Sequence, residues 1–178
     1  MIGFLRFVGL LNAAVWFGAA VFYAFIAGPA FASPEMGGLL TPANFPFYSV
    51  AIAQIVASRY FNLQLVCSFL ALFHLLAEWL YLGKVPRRFW RGLLLSLVAL
   101  NLAAGFLLLP KLKTSHRLAF GLNTPAETRK SAARTFRAWQ DLAEMVNFLK
   151  VGGLGVYLWR MANPPDPTRF VSASKFRG

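Results

Sequence analysis

The stretch FVGLLNAAVWFGAAVFYAFIA, Phe7 to Ala27, decides the class of this protein. No charged residue occurs between Arg6 and Glu35. An apolar run of about 20 residues, wound as a helix at about 1.5 Å per residue, crosses the roughly 30 Å hydrocarbon core of a bilayer. A cleavable secretory signal is the competing reading, because Arg6, the apolar run and Ala30-Phe31-Ala32 imitate its three parts. The apolar region of such a signal spans only about 7 to 15 residues, so this longer run is expected to remain as a membrane segment.

Composition carries the same reading outward. Of the 178 residues, 58% are hydrophobic and 13% charged, where a soluble domain carries about a quarter charged residues. Aromatic residues make up 16%, with Trp and Tyr suited to the headgroup level. The net charge of +12 must sit in loops and tail, facing anionic lipid or acidic partners. Nucleic acid is not an expected partner, because the basic residues form separate clusters beside apolar segments. The single cysteine, Cys67, rules out an intrachain disulfide and the paired-cysteine metal motifs.

Further apolar runs predict an all-α integral membrane four-helix bundle over residues 1–162. Its spans are expected at about 5–27, 62–82, 89–110 and 136–160, the third stopped by Pro110. Residues 45–61 read as an interfacial helix or an extension of the second span. The fourth span carries Asp141, Glu144, Asn147 and Lys150, so a soluble amphipathic helix competes with it. Backbone groups in lipid must be satisfied within their own segment, which makes each span helical, and short connections make neighbours antiparallel. A Pro-rich basic tail follows at 163–178. The dense basic cluster around the second loop favours cytoplasmic termini, in a multi-pass protein of a bacterial inner membrane.

Trp16-Phe17-Gly18 followed by Phe22, Phe25, Pro29 and Phe31 resembles the opening helix of the domain-of-unknown-function 4149 family, the group similar to transmembrane protein 205. Glu78-Trp79-Leu80, Leu109-Pro110-Lys111-Leu112, Phe136 and Asn147 follow in family-like order. The resemblance implies the bundle architecture over about residues 4–160 and no established reaction. Family members often carry a His and a Ser early in the last helix. Here Gln140 and Ala143 stand at those positions, so no His-dependent role transfers.

Polar groups at bilayer depth are costly and therefore functional candidates. Counting helical rise from the side of the termini places Asn12, His74, Glu78, Asn101, Asn147 and Lys150 in one layer, with a Glu78–Lys150 ion pair and His74 and the asparagines as interhelical hydrogen-bond partners. Asp141 and Glu144 are expected to pair with Arg134 or Arg137 at the opposite surface, and His116 to be solvated in a basic loop. No metal site or cofactor is expected. The alternative is a His74-centred site for haem or a chlorophyll-type pigment or metal, in an oxidoreductase-like protein. Proton or small-solute passage along the polar layer is a second alternative, although no broken helix or inverted repeat points to a coupled transporter. No nucleophile triad, phosphate-cradling loop or poised carboxylate pair is present, so a non-enzymatic role is expected. The preferred reading is an accessory subunit of a larger respiratory or photosynthetic membrane complex. Its partners are other membrane subunits and anionic lipids, with Arg87, Arg88, Arg91, Arg169, Lys175 and Arg177 as the partner- or lipid-binding residues.

Overall fold

The computed structural model describes residues 2–41, 44–82, 88–121 and 124–163, and among these every regular element is helical. The order is α1 (Ile2–Phe22), a π-helical turn (Tyr23–Ala27), α2 (Gly28–Phe31), α3 (Pro34–Leu40), α4 (Phe45–Leu82), α5 (Arg88–Ala103), a second π-helical turn (Ala104–Leu108), α6 (Leu109–Phe120) and α7 (Ala126–Ala162). Three segments are long and apolar enough to cross a membrane: Gly3–Phe31, Phe47–Leu80 and Arg88–Phe120. The helix α7 lies outside that set because Asp141, Glu144, Asn147 and Lys150 interrupt its apolar half.

Contacts fix the directions. Leu5 meets His74 and Tyr23 meets Tyr60, so α1 and α4 run antiparallel. Gln64 meets Asn101 and Phe47 meets His116, so α4 runs against α5 and α6. Trp90 meets Arg160 and Phe136 meets His116, so α7 runs against α5 and α6. Phe25 meets Phe148, which sets α7 antiparallel to α1 as well. The core between them holds Ala13, Trp16 and Ala20 of α1, Cys67 and Ala71 of α4, Leu94 and Leu97 of α5, and Leu154 and Tyr157 of α7. Each set recurs every three or four residues, the spacing of one helix face. The opposite faces carry Phe4, Phe73, Phe106 and Trp159, all exposed, an arrangement that suits hydrocarbon and not water.

Pro110 does not stop the third apolar helix. Proline lacks an N–H and its ring clashes with the carbonyl four residues back. A π-helical turn removes the conflict by passing the preceding N–H to the carbonyl five residues back. Leu109 N–H bonds Ala104 O before Pro110, and Gly28 N–H bonds Tyr23 O before Pro29. The same device thus carries two apolar helices past a proline. The stretch 45–61 is continuous with the second span: α4 is one helix of 38 residues, about 57 Å at about 1.5 Å per residue. The last helix starts at Ala126, ahead of the expected 136, and its first turns pack against α6. Residues 164–178, and with them the expected tail contacts of Arg169, Lys175 and Arg177, lie outside the described residues, as does Arg87.

Candidate functional site

The polar side chains divide into levels along the helices, where the sequence count had predicted one layer. At the level nearest the N-terminus, His74 Nε2 lies 2.9 Å from Leu5 O. A carbonyl only accepts, so Nε2 carries the proton. The imidazole packs directly on Gly9, where an added Cβ would meet Cε1 at 2.6 Å and Cδ2 at 2.9 Å. Nδ1 is buried without a partner. The ring is thus clamped between α1 and α4 with its outer nitrogen engaged.

One level deeper, Asn12 Nδ2 donates to Cys67 O at 3.0 Å. Beyond it lies a network that sequence reasoning missed. Trp16 Nε1 donates to Gln64 Oε1 at 2.6 Å. Asn101 Nδ2 donates to Gln64 O at 3.0 Å and to Ser68 Oγ at 2.8 Å. Gln64 is fully buried. These bonds tie α1, α4 and α5 together. Tyr60, Gln64 and Ser68, each four residues from the next, were the available signal: a polar stripe on one face of an apolar helix.

Lys150 marks the next level. Its side chain is 1% exposed. Nζ lies 3.5 Å from Tyr60 Oη and sits over the Tyr60 and Phe61 rings, 5.1 and 5.3 Å from their centroids. Tyr60 donates to Asn147 Oδ1 at 2.7 Å and stacks on Tyr23 at 4.2 Å. The Glu78–Lys150 ion pair is therefore not formed. Tyr60, the partner of Lys150, and Glu78 share α4 but stand about 27 Å apart along its axis at about 1.5 Å per residue. The error arose from counting depth from the ends of apolar runs, whereas α7 is set along α4 by packing over its whole length.

His116 is buried, not solvated. It stacks on Phe47 at 5.2 Å and touches Phe120 and Phe136, because α6 continues past Pro110 and turns this residue inward. Phe47 and His74 stand about 40 Å apart along α4, so the two histidines do not share a ligand. No cluster of three metal-ligating side chains occurs among the described residues. With Nε2 of His74 engaged and its ring wedged on Gly9, this position does not fit an axial ligand to haem or a pigment.

Glu144 accepts a hydrogen bond from Gln140 at 3.3 Å in place of the expected arginine contact. Asp141 and Glu144 both lie exposed on the outer face of α7. There they head a shallow groove of about 710 Å3 whose floor is Met145, Phe148, Leu149, Gly152 and Gly153. Nothing lies within 4 Å of a Cβ added at Gly152. Of the expected basic partner-binding residues, Arg88 is exposed and Arg91 is half-buried with Nε unpartnered. No family model, curated protein or solved structure matches this chain.

Proposed function

We propose that this protein is a four-span α-helical bundle of a bacterial inner membrane that serves as a non-catalytic accessory subunit of a larger membrane assembly. On this reading α7 is the fourth span, the termini are cytoplasmic, and the resemblance to the domain-of-unknown-function 4149 family is one of architecture. The observation that carries the proposal is the outer groove of α7. The interior polar groups are largely taken up by one another, and a shallow depression faces outward, with a bare glycine at its floor. Glycine at a lipid-facing position leaves room for the backbone of a second helix and little for favourable contact with an acyl chain. The exposed carboxylates at its head suit a partner side chain of positive charge.

Extraction of native membranes in a mild detergent tests the reading. Wild-type protein is expected to migrate with partner subunits. A Gly152→Leu variant is expected to lose them while keeping wild-type helicity and thermal midpoint, since nothing lies within 4 Å of a Cβ added there. Migration of the wild type alone, before and after crosslinking in the membrane, would refute the proposal.

A further inference from the structure

We propose that Lys150 is a proton-binding site within the membrane, paired with the Tyr60 phenol. The inference goes beyond the docking reading and does not depend on it, because Lys150 points inward from α7 while Gly152 faces out.

The geometry is that of a built site. A primary amine buried to 1% exposure has one long hydrogen bond, to Tyr60 Oη, and two aromatic faces beneath it. Two opposing effects act on this amine. Ring quadrupoles favour the ammonium, and loss of water favours the neutral amine. Among the described residues, no carboxylate stands among the contacts of Nζ to lock it in the charged state. A proton that arrives forms one N–H bond at Nζ using the amine lone pair. One O–H bond breaks in the hydronium ion or carboxylic acid that delivers it, and no oxidant or reductant is involved.

The groups facing Nζ are few. The first π turn contributes Tyr23, stacked on Tyr60. Helix α4 contributes Tyr60, with the neutral Gln64 one turn below; Arg59, beside Tyr60, is exposed. The second π turn, Ala104–Leu108, contributes no titratable side chain. Helix α7 itself contributes Asn147, which accepts from Tyr60; Glu144 lies on its exposed outer face. Below Lys150 the track passes into the neutral Trp16, Gln64, Asn101 and Ser68 network. Both π turns, which carry their helices past Pro29 and Pro110, touch α7.

The test uses the full chain in lipid nanodiscs, labelled with 15N at lysine Nζ and titrated from about pH 5 to about pH 11, a range that brackets ordinary lysine at about 10.4. One Nζ resonance is expected to titrate as a step separate from the other five, Lys84, Lys111, Lys113, Lys130 and Lys175, and to vanish in Lys150→Met. Tyr60→Phe is expected to shift that step. If Lys150→Met fails to fold, the Tyr60→Phe shift identifies the resonance. A lysine that keeps one state across the range overturns the proposal. So does titration together with the surface lysines, or a step indifferent to Tyr60→Phe.

Discussion

Substituting Gly9 by alanine tests the contact that seals the N-terminal end of the bundle. The new Cβ would meet imidazole atoms of His74 at 2.6 and 2.9 Å, inside any real carbon contact. Either α1 moves away from α4 or the ring swings out and loses Leu5 O. Overpacking costs about 1–3 kcal/mol, and an interhelical hydrogen bond in a membrane is worth about 0.6 kcal/mol on average. The expected loss is therefore about 2–3 kcal/mol. Reversible unfolding in mixed micelles, followed by circular dichroism, measures it. The decisive comparison is Gly9→Ala in a His74→Ala background, where the obstructing ring is gone and the expected cost falls below about 0.5 kcal/mol. Equal costs in the two backgrounds, within the roughly 0.5 kcal/mol expected of independent sites, would show that the α1–α4 contact is not where the structure puts it.

Other outcomes follow from the same coordinates. Gln64→Leu leaves the Trp16 N–H buried without an acceptor and is expected to cost about 1–3 kcal/mol in the same unfolding assay; pairing it with Trp16→Phe recovers most of that. Pro110→Ala is expected to leave Leu112 to Phe120 helical, measured by amide exchange, since the π turn already carries the helix through. Thr41 ends α3 at a φ of 64°, a region β-branched residues avoid. Thr41→Gly is expected to stabilise by up to about 1 kcal/mol in thermal unfolding. The Glu35 carboxyl is held below the ordinary range, first by its own backbone N–H and then by Ser33. Its folded value is thus depressed, so its contribution to the start of α3 is present above the unfolded carboxylate value and fades as pH falls through the folded one. Amide exchange at α3 is expected to quicken in acid, and Glu35→Gln to remove that pH dependence.

Much of the candidate site was legible as a list of residues and not as an arrangement. Asn12, His74, Asn101, Asn147 and Lys150 stood out because each is polar inside an apolar run. Gln64, Ser68 and Tyr60 were legible by the same rule and were passed over. His116 was misread because Pro110 looked like a helix end. A proline terminates a helix only when the turn before it stays α-helical, and no local feature of Ala104-Gly105-Phe106-Leu107-Leu108 announces the switch to π bonding.

The sequence alone determined that this chain is helical and belongs in a bilayer, because apolar length and the need to satisfy every backbone group in hydrocarbon leave no other structure. The tertiary structure alone decided how far each helix slides along its neighbours. That offset is set by packing at Gly9, at Gly153 against Leu97 and along the helical extensions of α4, α6 and α7, none of which a residue count from the membrane edge can register. It is this sliding that separates Glu78 from Lys150 and leaves the buried amine with a phenol for its partner.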